Sequence, residues 1–471
     1  MLLDISQHDK QIWISYYNLE GKTRFKTYDV LPEEMYNWEV CREGDKKADT
    51  KMKNWDGRPV KKVKAMRLNK HRMIQYISDI GFSDRELIFG YHFPRTYFVD
   101  IEVEVNENND FTEPSKAATP ITAICVVTPN RQCIILATKQ LPKGEIAKIE
   151  NRINNHFKDL DVTYQFEFKC FDSEYDMLYT FLDKFVKNFP MMTGWNFIKF
   201  DWAYIRNRAR KINIDPRIAS PIKELGQTND EFPLHVGIMD YMDIYKKWDH
   251  SVDIKEDFKL DTVGEAVLGI RKVKYDGTIQ DMYEKEYPKY IFYNGVDTIL
   301  VQLIHERIKT MEIALTISHL SQVTVFKAGS PVAVTESLIC RALLGKDLVM
   351  AKDPAKVSIK TGKYAGAFVK HPIPGLHSAV ACFDFASLYP SIMRQMNVSP
   401  ESFIAKVAPE EKDTELGPDR IVAINGAVYS TDTSILKEIL TDLYGQRKTY
   451  KKKSFELQTQ AYEMEKAISK S

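Results

Sequence analysis

The chain has 471 residues, 44% of them hydrophobic and 28% charged, with a formal net charge of +1. At about 100 to 200 residues per domain, this length suggests three or four domains, and the apolar fraction excludes wholesale disorder. No apolar run reaches the roughly 18 residues that cross a membrane, and the opening Met1-Leu2-Leu3-Asp4-Ile5-Ser6 does not read as a secretory signal. Six cysteines are scattered without CxxC pairs, which indicates no zinc site and fits a reducing, cytoplasmic setting.

Residues 1–90 mix short strands, such as Gln11–Tyr17, with polar loops. Within them, Lys51 to Arg72 holds nine Lys/Arg against one acid, Asp56. Such a patch can neutralise phosphates, although an ordinary solvated face has the same composition. The spacing predicts a strand over Tyr97–Val105 and a hairpin from Ile121–Val127 and Gln132–Ala137 around Pro129-Asn130-Arg131. Helices are predicted over Glu174–Val186, Ile291–Ile308 and Thr310–Leu320. Glycines and prolines between Gly362 and Pro374 mark a boundary. After it come an apolar strand, Ser378–Phe385, a helix opened by Pro390, an acidic loop at Ala408–Pro418, and one long charged helix from Ile435 onward.

Hydrolysis of a phosphodiester needs a nucleophilic water and a stabilised leaving oxygen, which two divalent cations about 3.5–4 Å apart provide. Hard cations require carboxylate oxygens, so acids on otherwise apolar elements are the candidates. Asp100 and Glu102 are two apart on the predicted strand and share one face with Phe98, opposite Val99, Ile101 and Val103. Asp201 follows a glycine-containing turn, Thr193-Gly194-Trp195-Asn196, and precedes a predicted helix Trp202–Arg208. Tyr293 and Asp297 are four apart on a helix and project from one side. Any one of these acids alone could be a helix cap or a wet strand residue.

Taken in order, Asp100-Ile101-Glu102, Asn196-x-x-x-Phe200-Asp201 and Tyr293-x-x-x-Asp297 resemble the three exonuclease motifs of family B DNA polymerases. The intervening Met239-Asp240-Tyr241 and Leu260-Asp261-Thr262-Val263-Gly264 are similar to the T-even-like phage branch. The resemblance implies a mixed α/β (α+β) multidomain protein whose exonuclease domain is ribonuclease-H-like. It further implies Asp100, Glu102, Asp201 and Asp297 as ligands of two Mg²⁺ or Mn²⁺ ions, Tyr293 positioning the water, and Asn196 and Phe200 lining the DNA strand path.

A second constellation lies in Ala381-Cys382-Phe383-Asp384-Phe385-Ala386-Ser387-Leu388-Tyr389-Pro390. An apolar strand ending in an acid, followed by a turn and a helix start, can hold a cation and a triphosphate. The string resembles the family's motif A. By that resemblance Asp384 is a metal ligand, Ser387 and Leu388 meet the phosphates of a deoxynucleoside triphosphate, and Tyr389 excludes a ribose 2′-hydroxyl. Tyr364-Ala365-Gly366 resembles the family's template-binding Tyr-x-Gly segment. Arg447 and Lys451, four apart on the last helix, resemble the triphosphate-binding cations of the first fingers helix.

The family's Asp-Thr-Asp motif C does not occur in these 471 residues. The expectation is therefore a DNA polymerase part that carries a 3′→5′ exonuclease and half of a polymerase site. Its partners would be primer–template DNA, deoxynucleoside triphosphates, a second polypeptide with the remaining motifs and, through that half, a sliding clamp; no membrane is expected. The expected domains are 1–86 completed by 310–355, an exonuclease over 87–309, a partial palm over 356–433, and a fingers helix over 434–471. A stand-alone exonuclease and a non-catalytic nucleic-acid scaffold are the alternatives. If the chain is viral, the setting is the host cytoplasm.

Overall fold

The computed structural model describes residues 1–45, 48–105, 112–222, 231–249, 257–354, 368–385, 387–407 and 418–468. It divides into two compact units, one of Met1–Glu34 with Ile80–Thr335 and one of Met35–Asp79 with Glu336–Ser471.

The first unit is organised by a six-stranded sheet. Its order is Gln165–Cys170, Gln132–Ala137, Ile121–Val127, Thr96–Val103, Met191–Thr193, Gly237–Ile238. The strands Thr96–Val103, Ile121–Val127 and Gln132–Ala137 run antiparallel as a meander, and the outer pairings are parallel. The predicted hairpin is present, with Val127 opposite Cys133. Period-two alternation sends residues to two separate cores. Phe98, Cys125 and Ile135 pack with the helix Tyr287–Ile308, whereas Val99, Ile101, Ile124 and Leu136 pack with Met177, Phe181 and Ile205. Helix Tyr287–Ile308 is buried along most of its length because it lies on the sheet. A Cβ at Gly295 would stand 3.3 Å from Cys133 Sγ, so the missing side chain sets this close approach. The predicted helix Glu174–Val186 begins as an α-helix over Glu174–Thr180, capped by Ser173, and then widens and tightens before ending at Asn188. A three-stranded antiparallel sheet, Leu2–His8, Gln11–Tyr17 and Thr23–Asp29, also belongs to this unit.

The second unit pairs Tyr36–Val40 with Val60–Lys64 and Lys53–Asn54 with Leu348–Val349. Much of its basic patch is neutralised from elsewhere in the same unit: Lys51 by Asp347, Arg58 by Asp56 and Asp353, Lys61 by Asp45, Lys70 by Glu336. The last helix runs Ile435–Ile468, as the charge pattern predicts, and packs through Ile435 on Ile339 and Leu343. One expectation fails. Ser378–Phe385 is not a strand, and Val380, Phe383 and Phe385 are exposed. No strand among the described residues pairs with it, and an unpaired apolar segment has no hydrogen-bond ladder to hold it in a sheet. The predicted loop at Ala408–Pro418 lies, but for Pro418, outside the described residues.

Candidate active site

The central strand Thr96–Val103 carries Asp100 and Glu102 at its middle, and three further segments bring acids or their partners to it. Asp201 arrives on a wide turn, Ile198–Trp202, where the Trp202 N–H donates to Phe197 O at 2.7 Å instead of closing an ordinary α-turn. This turn precedes the helix Ala203–Lys211, so the helix starts one residue later than the sequence suggests. Asp201 Oδ1 accepts the Ile101 N–H at 3.0 Å, which fixes the turn to the strand between Asp100 and Glu102. Two small features permit this. Asn196 takes a left-handed φ of +60°, tolerated by its side chain, and a Cβ on Gly194 would be 2.3 Å from Val99 O. Asp240 caps the helix Tyr241–Trp248 and also accepts the Ile198 N–H at 3.0 Å, holding the turn from below.

Asp297 and Tyr293 come from the buried helix Tyr287–Ile308. Glu102, Asp201 and Asp297 are each 5% exposed or less, while Asp100 keeps partial exposure. Burial pushes the Asp100 carboxyl up to about 7, with the nearby Asp297 charge adding to it. Glu102 and Asp201 are driven well above the usual carboxylate range, first by burial and then by Asp100. Asp297 is also raised by burial. The four acids are therefore close enough to oppose each other's ionisation.

Sequence reasoning missed the group that relieves them. Lys272 reaches in from the loop between the helices Leu260–Leu268 and Ile279–Lys285 and pairs with Asp297 Oδ2 at 2.5 Å. Burial works against its charge, but Asp297, then Asp100 and Glu102, outweigh it and hold the ammonium above its ordinary value. Its Nζ also lies 4.9 Å from the Tyr293 ring centre, and Tyr275 meets that ring edge-on at 5.5 Å. Asp261 anchors this loop by accepting the Lys272 N–H at 2.7 Å. Asn294, fully buried, donates from Nδ2 to Asp100 Oδ2 at 2.9 Å. One lysine among Arg271-Lys272-Val273-Lys274 carries no periodic signal, so only the fold reveals it.

Among the described residues, no three acids, histidines or cysteines stand ready-made around a single point. The donor set still suits a hard cation. All four acids offer oxygen, one ammonium does not balance them, and Asp297 Oδ1 is buried without a hydrogen-bond partner.

The other candidates are placed differently. Phe200 is half-buried beside Tyr204, and Asn196 is half-buried. Asp384 is exposed, Ser387 sits at φ +53° before the helix Leu388–Gln395, and Tyr389 is 73% exposed. That helix starts at Leu388, two residues before Pro390, and the proline falls in the first turn, where its missing N–H costs nothing. Arg394 of this helix donates to Thr441 Oγ1 at 3.2 Å, tying it to the last helix, on which Arg447 and Lys451 are exposed. Tyr364 and Gly366 lie outside the described residues, as does Ala386.

A sequence model of the exonuclease domain of DNA polymerase family B matches residues 63–263, and one of DNA polymerase family B itself matches 320–471. The chain belongs to DNA polymerase family B. It carries the family's exonuclease domain and part of its polymerase domain, and the mixed sheet with its flanking helices accords with the ribonuclease-H-like fold of that exonuclease. The family B chain is 28% identical to the DNA-directed DNA polymerase of Escherichia phage RB69 over 381 residues, 75% of this chain and 42% of that protein. It is 26% identical to the corresponding enzyme of Enterobacteria phage T4 over 503 residues, 97% of this chain and 54% of that one. The DNA polymerase catalytic subunit of Epstein-Barr virus (strain B95-8) is 29% identical over 322 residues, 60% of this chain and 30% of that subunit. The chain thus spans about half the length of the curated phage relatives it matches. No helix among the described residues is long and apolar enough to cross a membrane.

Proposed function

We propose that this chain is the 3′→5′ proofreading exonuclease and the first part of the polymerase site of a DNA-directed DNA polymerase, and that synthesis needs the remaining motifs from a second polypeptide. The observation that carries the reading is the gathering of Asp100, Glu102 and Asp297 about one half-buried ammonium, Lys272, with Asp201 seated between Asp100 and Glu102 on the Ile101 N–H.

In this reading the four carboxylates hold two Mg²⁺ or Mn²⁺ ions. When bound, such ions activate water and neutralise charge on the leaving 3′ oxygen. The chain's own residues do the rest. Asn294 keeps the Asp100 carboxylate turned one way through its Nδ2–H bond. Burial pushes the Tyr293 phenol up, so its O–H stays protonated and can orient a water. Phe200, on the same wide turn as Asp201, and Asn196, just before that turn, line the path of the strand. Lys272 offsets the acids' mutual repulsion until DNA arrives. On the polymerase side, Asp384 serves as a metal ligand, Ser387, Leu388, Arg447 and Lys451 meet the triphosphate, Tyr389 selects the deoxy sugar, and Tyr364 with Gly366 touches the template. Primer–template DNA and deoxynucleoside triphosphates are the substrates, and a sliding clamp is reached through the second polypeptide.

The deciding experiment uses a 3′-mispaired primer–template with Mg²⁺. The chain alone should shorten the mispaired end and add no nucleotides. Adding a polypeptide with the remaining polymerase motifs should start extension. Absence of any hydrolysis sinks the exonuclease reading, and robust extension by the chain alone sinks the two-polypeptide reading.

A further inference from the structure

Away from the carboxylates, the first unit has a hollow of about 510 Å³ between the turn at Gly21–Phe25, the start of the central strand and the segment around Phe189. That is within the usual range for a small-molecule site. No carboxylate lines it, whereas Lys22, Arg24, Arg95 and Lys187 do. Arg24 is paired with Glu20 and Lys187 with Asp183. Lys22 and Arg95 have no ion-pair partner among the described residues.

Its apolar wall is aromatic. Tyr97 and Phe189 are stacked, with ring centres 4.1 Å apart and planes 12° from parallel, and both line the hollow. Phe25 stands edge-on to His235 at 5.8 Å. Two polar atoms of the lining are buried and unpartnered. Thr23 Oγ1 is one. The other is Nδ1 of His235, a residue with 0% exposure whose Nε2 meets Ser6 Oγ at 2.9 Å and whose backbone N–H donates to Asp4 Oδ2 at 2.9 Å. Burial keeps this imidazole neutral by pushing it below its ordinary value.

We propose that this hollow binds a nucleoside phosphate, either free or as one unit of a single strand. The chemistry needed is present in one place: two uncommitted cations for the phosphate, no carboxylate to repel it, and an aromatic face for a base. An inorganic anion would leave the aromatic wall unused, and an apolar molecule would leave both cations unsatisfied. The inference uses none of the four carboxylates, so it stands or falls separately from DNA hydrolysis.

The test is made with the full chain in EDTA, so that no hydrolysis intervenes. Photo-crosslinking to a short 5-iododeoxyuridine oligonucleotide and peptide mapping should find adducts on Phe25, Tyr97 or Phe189. The double variant Lys22→Ala with Arg95→Ala should weaken oligonucleotide binding about tenfold or more and lower the salt dependence by about two phosphate contacts. Both positions are exposed, and an unchanged melting midpoint shows that the variant folds. Competition by adenosine monophosphate identifies the free nucleotide as a ligand, and binding without such competition identifies the strand unit. Unchanged affinity and salt slope in the double variant, or adducts confined to other segments, overturn the proposal.

Discussion

The acids of the exonuclease part and the acid of the polymerase part are the same chemical group in opposite surroundings. Asp201 and Asp297 are 3% and 4% exposed and held by backbone N–H or ammonium partners, whereas Asp384 is open to water on an unpaired segment. The first set is built by a sheet with helices on both faces, all supplied by one stretch of chain. The second has its strand residues but no neighbouring strand among those described. A catalytic string is thus only as good as the elements that enclose it, because enclosure is what fixes carboxylates against their own repulsion.

The largest effect that tests this contrast should come from Asp297→Ala. Removing one carboxylate from the enclosed set should lower 3′-end hydrolysis about a thousandfold, read as release of a labelled terminal nucleotide. A loss of less than tenfold would break the contrast at its strong end. Next, Lys272→Ala leaves the buried acids without a counter-charge, which should cost about 3–5 kcal/mol of stability in EDTA. Denaturant titration checks this, and added Mg²⁺ should restore much of the loss.

Smaller still is an acid sensitivity seated in the enclosed unit. Burial lowers His305 to about 4 from an ordinary value near 6.5. The native state then binds fewer protons than the unfolded chain between those values. Stability from His305 is full above about pH 6.5 and falls by up to about 1.4 kcal/mol per unit as pH drops toward 4. His305→Gln should flatten that slope in melting curves taken from pH 7 to 4.5. At the opposite end, Asp384→Ala should change 3′-end hydrolysis by less than about twofold, since exposed substitutions away from a site are usually near neutral. A large loss would mean that the open region serves the enclosed one.

The enclosed part was the more legible in sequence, and for a physical reason. Strand alternation put Asp100 and Glu102 on one face, and the hairpin Ile121–Val127 with Gln132–Ala137 followed from its turn. Those signals are local. Lys272 was not legible, because a loop lysine acquires meaning only from what the chain folds it against. Nor was the wide turn at Ile198–Trp202, which exists to seat Asp201 on the Ile101 N–H rather than to satisfy a periodicity. The apolar run Ser378–Phe385 misled in the other direction. Its composition is that of a buried strand, but strand identity depends on a partner, and composition alone does not supply one.

Lys272 has one more consequence. Because an ammonium already sits against Asp297, the protein carries its own stand-in for a cation and can reach its folded shape where divalent ions are scarce. Under the proposed two-ion reading, loading would be an exchange of one positive group for another rather than the filling of bare negative charge, and the amine's accessibility to acylating reagents would gauge how far that exchange had gone.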